Sequence, residues 1–276
     1  MTSPLNTKGL AAEISAAYAN RQSIPTPSSR YPDFGLTSAY AAEAELVCLR
    51  RANGRATVGR KVGYANKAMW RALKLDTLAW AHMYDDTVHY ADRSEGSLSI
   101  ARMYSPRIEP EIVFKLNTTA GRPFHGREQI DAAGAIAACE WIALGFEIID
   151  CVFPGWQFQP PDFVAAFGLH AALIVGEPQP IENAAVDDLS RFRVRLLKNG
   201  QLAAEGSGRN VLRNPAACLG ELAAATSRGP GAEPLAGGEI ISTGTMTESQ
   251  PIAPGETWTA QVDGLALPAL TLRVER

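Results

Sequence analysis

Three carboxylates set in apolar runs are the residues whose types and spacing best suit chemistry. Two lie in "SPRIEPEIVFKL", residues 105–116. Read as a strand, this segment points Ile108, Ile112, Phe114 and Leu116 to one face and Glu109, Glu111, Val113 and Lys115 to the other, because successive side chains alternate. Glu109 and Glu111 then stand about 7 Å apart along one face. Pro110 between them cannot donate to a ladder, which favours an edge strand or a bulge, and such places aim side chains into sites. The third carboxylate is Glu147 in "LGFEIIDCVF". As part of a strand it shares a face with Gly145 and Ile149, while Asp150 faces the other way. Three glutamates converging in a partly buried place repel one another unless protonated or bound to a cation. Ligands that are all oxygen select a hard ion, Mg²⁺ or Mn²⁺. The same spacing also fits a solvated sheet face whose glutamates pair with Lys or Arg.

The elements that must position these groups follow from periodicity. Residues 8–20 and 37–52 carry apolar residues at helical spacing, the second being "TSAYAAEAELVCLRRA". Thr37 or Ser38 is suited to cap the second helix, and Asn53-Gly54 to end it. Between them "SIPTPSSRYPDFG" reads as an extended loop. Beyond Gly54 short β-type segments recur, at 58–64, 98–103, 108–117, 145–153, 168–175, 192–206, 239–243, 257–262 and 268–274. Asn199-Gly200 within 192–206 suits a type I′ hairpin turn. Helices are expected near 127–143 and 214–227, the latter opening at Asn214-Pro215 with proline at the first helical position. The organisation expected is a helical segment over 1–56 leading into a mixed β body over 57–276, in one functional unit.

With 276 residues, 46% of them hydrophobic and 20% charged, the chain can bury a sizeable core. A net charge of −3 argues against nucleic acid or an anionic membrane as the main partner. The sequence contains no apolar run near the ~20 residues of a membrane helix, and its N-terminal stretch has none of signal-peptide length. A cytoplasmic protein is expected. Cys48, Cys139, Cys151 and Cys218 form no metal-binding spacing and read as reduced core thiols.

"RIEPEIVF" followed by "FEIID" resembles the fumarylacetoacetate hydrolase superfamily, and more closely its 2-keto-4-pentenoate hydratase and 4-oxalocrotonate decarboxylase branch. The resemblance runs nearly end to end, through "GLTSAYAAEAEL", "VGRKVGYANKAM", "MYDD", "RNPAACLGELA" and "LAGGEIISTGTMT" in the family's order. It implies an α+β, mainly β fold: a rolled β-sandwich with peripheral helices and an N-terminal helical segment, in a homo-oligomer. It further implies that Glu109, Glu111 and Glu147 hold Mg²⁺ or Mn²⁺. A 2-oxo acid would chelate that ion, which acts as a Lewis acid while an enolate forms. Lys61 matches the family's active-site lysine, to bind a substrate carboxylate or relay a proton, between glycines that let the backbone approach a ligand. Arg107 is placed to clamp a second carboxylate or offset the acidic cluster. Thr243, Gly244 and Thr245 match a pocket loop that could offer backbone N–H groups and a hydroxyl.

Two departures from the family pattern stand out. Where the hydratases carry Pro-Asp-Tyr-Gly, this chain has Leu78, Ala79, Trp80 and Ala81. Where they carry Ala-Asp-Asn, Ala166 and Phe167 take the Asp and Asn positions. Candidate acids are thereby lost; His170 and His82 lie nearby in sequence as groups that could move protons instead, and each also reads, more readily, as a satisfied structural histidine. Asp85 and Asp86 persist in "MYDD", which also reads as a turn. The leading expectation is a metal-dependent hydratase of a 2-hydroxy-dienoate or related 2-oxo acid from aromatic catabolism. The rivals are an oxalocrotonate-type decarboxylase, a C–C hydrolase or tautomerase, and a relative that binds a small oxo acid without turning it over.

Overall fold

The computed structural model describes residues 5–118, 130–228 and 233–276. The chain begins with helices α1 (Thr7–Ala19), α2 (Pro27–Arg30) and α3 (Leu36–Ala52). Next come β1 (Thr57–Gly63), α4 (Lys67–Leu73), β2 (Ala79–Tyr84), β3 (Val88–Tyr90), β4 (Glu95–Ser99) and β5 (Arg107–Leu116). The middle holds α5 (Ala132–Ala137), β6 (Cys139–Ile149), α6 (Pro160–Ala165), β7 (His170–Val175), β8 (Gln179–Pro180) and α7 (Val186–Arg191). The rest comprises β9 (Arg193–Lys198), β10 (Gln201–Ser207), α8 (Pro215–Thr226), β11 (Ile240–Thr245), β12 (Gln250–Pro251), β13 (Thr257–Asp263) and β14 (Leu270–Glu275).

The larger sheet runs β2-β1-β11-β5-β6-β7-β3, with β12 added beside β5 and β8 beside β6. Its ladders are antiparallel except β1 with β11 and β3 with β7. The second sheet runs β10-β9-β13-β14-β4. This is the mixed, mainly β architecture expected, a curled sheet beside a second sheet with helices at the N-terminus. Helix α3 buries Ala39, Ala42, Glu43, Leu46 and Val47, the one-sided stripe of an amphipathic helix. With α1 it covers an apolar cluster shared with Ile149, Phe153, Phe163 and Leu169, beside the convergence of the three glutamates.

Several expectations need correction. The residue before α3 is Gly35, with no side-chain cap, so neither Thr37 nor Ser38 caps it. The helix expected near 127–143 is confined to Ala132–Ala137, and residues 127–129 lie outside the described residues. From Cys139 the chain pairs with β5 on one side and β7 on the other, and those ladders outweigh the helical preference of its alanines. Strand β2 was not foreseen because all six of its residues are buried, which removes the alternation that marks a strand. Cys48 is exposed, whereas the other three thiols are buried. Two local readings hold. Asn199 and Gly200 both have positive φ at the β9–β10 hairpin, and the Asn214 side chain accepts from the Ala216 N–H at the start of α8.

Pro110 sits in the middle of the large sheet, not at an edge. The irregularity lies on the neighbouring strand: β11 slips by one residue between Ser242, opposite Val113, and Thr245, opposite Glu111. The Pro110 carbonyl accepts from Met246 N at 3.1 Å, so the side of Pro110 that lacks an N–H faces the point where β11 leaves the sheet. No ladder donor is missed there.

Candidate active site

In the β5–β6 ladder Glu109 pairs with Glu147 and Glu111 with Gly145, so the three carboxylates share one face. One oxygen from each lies within 4.8 Å of the others. Glu111 and Glu147 are fully buried and Glu109 is half-buried, so Glu109 alone of the three lines an open cleft of about 1250 Å³.

Each carboxylate is held differently. On Glu111, Oε2 accepts from Ser242 Oγ at 2.6 Å and from the Gly244 N–H at 2.8 Å. The β11 slip makes this possible, and Gly244 has φ +100°, a backbone state that L side chains rarely adopt. On Glu147, Oε1 meets His170 Nδ1 at 2.9 Å and Oε2 lies 2.9 Å from Lys61 Nζ. The Lys61 ammonium also donates to the Gly168 carbonyl at 2.8 Å and stands 4.9 Å above the Phe163 ring. Gly168 lies in a run of three positive-φ residues with Phe167 and Leu169, and a Cβ there would come within 2.9 Å of Lys61 Cδ.

Burial drives the titration of the cluster. It pushes Glu109 up to about 7, reinforced by Glu147 and opposed by Lys61 and Arg107. It carries Glu111 well above the ordinary carboxylate range, with Glu147 and Glu109 adding repulsion. On Glu147 burial also pushes upward, but Lys61 and His170 outweigh it and its pKa is lowered. Burial pulls Lys61 down, and the three carboxylates overcome it, so the ammonium is favoured. His170 is lowered by burial against its bond to Glu147.

These residues fit a divalent cation. Glu111 Oε1 is buried with no donor among the described residues, and Glu147 Oε2 meets only the Lys61 ammonium. A hard ion with Mg–O distances of about 2.1 Å holds its ligands at most about 4.2 Å apart, close to the spacing present. The donors are oxygens only, as Mg²⁺ or Mn²⁺ prefers. A cation would offset the burial and mutual repulsion that raise the pKa values of Glu109 and Glu111.

The other sequence-predicted residues are placed as follows. His170 is behind Glu147, with both ring nitrogens engaged, Nε2 lying 2.9 Å from Thr87 Oγ1. It does not line the cleft. Arg107 stacks 4.2 Å over the Trp156 ring and reaches Ser249 Oγ at 3.4 Å. Thr243 turns inward, donating to the Ile112 carbonyl at 2.9 Å, and the Gly244 N–H is committed to Glu111 rather than open to a ligand. Gly244 and Thr245 line the cleft, although the Thr245 hydroxyl donates to the Thr247 carbonyl.

The glycines flanking Lys61 serve protein packing: a Cβ at Gly59 would meet the Ile240 carbonyl at 1.8 Å, and one at Gly63 the Phe163 ring at 2.3 Å. His82 pairs across the sheet with Arg60, on the face away from Lys61, and binds Glu43 through Nδ1 at 2.6 Å. Asp85 and Asp86 follow β2 in a turn, where Asp86 pairs with Arg50 and Arg55. Ala79 and Ala166 are buried in the apolar cluster that holds Phe163 and Leu169.

Sequence reasoning missed Ser242, Thr87, Gly168 and Phe163, the partners of Glu111, His170 and Lys61. It also missed the cations Lys67, Arg209 and Arg213, which line the cleft. Strained backbone marks the same place: Tyr64, Trp156, Leu169, Leu212 and Arg213 have positive φ and all line the cleft.

The chain is 28% identical over 249 residues to the 2-hydroxyhexa-2,4-dienoate hydratase of Comamonas testosteroni, covering 90% of each chain. It is 28% identical over 257 residues to the 4-oxalocrotonate decarboxylase of Pseudomonas sp. (strain CF600), covering 93% of this chain and 92% of that one. The solved 4-oxalocrotonate decarboxylase from Pseudomonas putida G7, complexed with magnesium and adipate, superposes with a TM-score of 0.87 at 26% identity, over 99% of this chain and 100% of that one. Over nine-tenths or more of its length the chain is thus similar, at 26–28% identity, to the hydratase and 4-oxalocrotonate decarboxylase branch of the fumarylacetoacetate hydrolase superfamily. No family model matches the chain. Among the described residues no helix is long and apolar enough to cross a membrane.

Proposed function

We propose that this protein is a divalent-metal-dependent lyase of 2-oxo acids, of the hydratase or decarboxylase type, with water addition to a 2-hydroxy-dienoate as the leading reaction. The observation that carries this reading is the convergence of half-buried Glu109 with buried Glu111 and Glu147, with an unpartnered carboxylate oxygen and a buried lysine beside an open cleft. Magnesium or manganese bound there would act as a Lewis acid, favouring negative charge on the 2-oxo oxygen of a substrate. Glu109, Glu111 and Glu147 are the ligands in this reading. Ser242 and the Gly244 N–H aim Glu111, and His170 aims Glu147.

Lys61 is the proton carrier. Gly168 and Glu147 fix its Nζ, and Phe163 walls it off on one side. Its ammonium is maintained by the three carboxylates. Once their charge is balanced, burial is left as the dominant influence and pulls the Lys61 pKa down, which suits proton exchange at C3 of the substrate. Decarboxylation is the second reading, and one observation favours it. Among the described residues no histidine or aspartate lines the cleft. Water addition needs a water activated as well as a proton moved, whereas loss of CO₂ needs only a proton delivered to carbon.

Both readings pass through an enolate of the 2-oxo acid, and the capacity to form one is reported by hydrogen exchange at C3 of 2-oxopentanoate in D₂O, followed by proton NMR. The expected result is loss of the C3 signal that needs both protein and Mg²⁺ and is slowed at least 100-fold in Lys61→Met, the lower bound for a general acid–base group. Binding of 2-oxopentanoate without any exchange would favour the non-catalytic alternative.

A further inference from the structure

Two arginines at the mouth of the cleft have no role in the reading above. Arg209 and Arg213 both line it, both are exposed, and neither guanidinium makes a hydrogen bond or ion pair among the described residues. The other cations nearby are engaged. Lys67 lies 5.6 Å over the Trp70 ring, and Arg107 is stacked on Trp156. Glu248, the acidic side chain at the same mouth, forms no ion pair with either arginine among the described residues.

The backbone that carries the two arginines is pinned across the cleft. Leu212 N donates to the Ala65 carbonyl at 2.8 Å, Asn210 Nδ2 to the Met246 carbonyl at 2.6 Å, and Arg213 N to the Arg209 carbonyl at 3.1 Å. Leu212 and Arg213 are held at φ +44° and +69°, consecutive left-handed positions without a glycine. Strain of this kind persists only where surrounding contacts over-determine it. Here it fixes where Arg213 leaves the chain. The same cleft, which Glu109 also lines, has apolar Ile149, Phe158, Phe163, Leu169 and Met246 in its walls.

We propose that Arg209 and Arg213 form an anion subsite that takes the distal carboxylate of a 2-oxo dicarboxylic acid. The 2-oxo acid end lies at the glutamates and the carbon chain along the apolar lining. The inference rests on the site reading above and narrows its substrate class from 2-oxo acids to 2-oxo diacids. Arginine suits the task, since its planar fork matches a carboxylate in two hydrogen bonds.

The test is calorimetric titration of the Mg²⁺-loaded protein with 2-oxoadipate and with 2-oxohexanoate, which differ in the terminal carboxylate. The variant is Arg209→Gln with Arg213→Asn, because asparagine tolerates the left-handed backbone at that position. The wild type should bind the diacid at least about tenfold more tightly, and added NaCl should shrink the preference, as for charged contacts open to solvent. The double variant should bind the diacid no better than the monoacid, with its affinity for 2-oxohexanoate unchanged. Equal affinity of the wild type for both acids, or a preference kept in the variant, would overturn the arginine assignment while leaving the metal site standing. Failure of both acids to bind in the presence of Mg²⁺ would overturn the site reading and this inference with it.

Discussion

Ser242→Ala isolates how the protein prepares Glu111 for a cation. The Ser242 hydroxyl donates to Glu111 Oε2 at 2.6 Å, and after its removal the Gly244 N–H remains as the donor to that oxygen. Without metal, burial and the neighbouring carboxylates raise the Glu111 pKa well above the ordinary carboxylate range and so favour the neutral group as the hydroxyl's partner. A bond of that kind is worth about 1 kcal/mol, and one to an ionised group about 1.5–3 kcal/mol. The hydroxyl therefore favours the metal-bound, ionised state by about 0.5–2 kcal/mol, and its loss should weaken Mg²⁺ binding roughly 2- to 30-fold. Stability of the metal-free protein should fall by only about 1 kcal/mol. Thr243→Val is the control, since the Thr243 hydroxyl donates to the Ile112 carbonyl and faces away from Glu111. It should reduce stability by a similar amount without altering Mg²⁺ affinity. Titration calorimetry with Mg²⁺ and urea unfolding of both variants supply the numbers. Unchanged Mg²⁺ affinity in Ser242→Ala, or an equal loss in Thr243→Val, would refute the reasoning.

Three further outcomes are expected. Glu109 is raised to about 7, so the metal-free native state binds more protons than the unfolded chain between the ordinary carboxylate pKa near 4.5 and about 7. Stability in EDTA should therefore fall as pH rises through that window, and Mg²⁺ should restore it most strongly above pH 7; melting temperatures across pH 5–8 with and without Mg²⁺ measure this, and a metal-free protein that gains stability over the window would contradict it. Gly168→Ala should cost about 1–2 kcal/mol for the left-handed backbone and, by crowding Lys61 Cδ, slow C3 exchange; urea unfolding and NMR in D₂O test the two parts separately. His170→Ala leaves Glu147 Oε1 without its donor and should weaken Mg²⁺ binding about 10- to 100-fold, as for other outer partners of metal ligands, which calorimetry would detect.

The convergence of the three glutamates was legible because it depends on local rules. Alternation puts Glu109 and Glu111 on one face, and pairing of two apolar runs brings Glu147 to the same face. Lys61 was legible only through resemblance, since nothing local separates it from a solvated strand lysine. What was not legible depends on contacts distant in sequence. Gly168 serves through its carbonyl, which no side chain announces, and Thr87 reaches His170 across 83 positions. The placement of Pro110 in a central strand depends on a slip in β11, more than a hundred residues away in the chain. The partners of His170 and Gly244 were misjudged: each bonds a glutamate, His170 from behind the cleft and Gly244 from its wall. The acids absent at Ala79 and Ala166-Phe167 were legible as absences, but the apolar packing that fills their place was not.

Calorimetric titration of the wild-type protein, Glu109→Gln and Glu147→Gln with Mg²⁺, each variant shown to be folded by circular dichroism, tests the central claim most directly. The account predicts one ion per wild-type chain and loss of that binding in both variants, because each removes a charged oxygen from the trio. Unchanged Mg²⁺ affinity in both folded variants would contradict it.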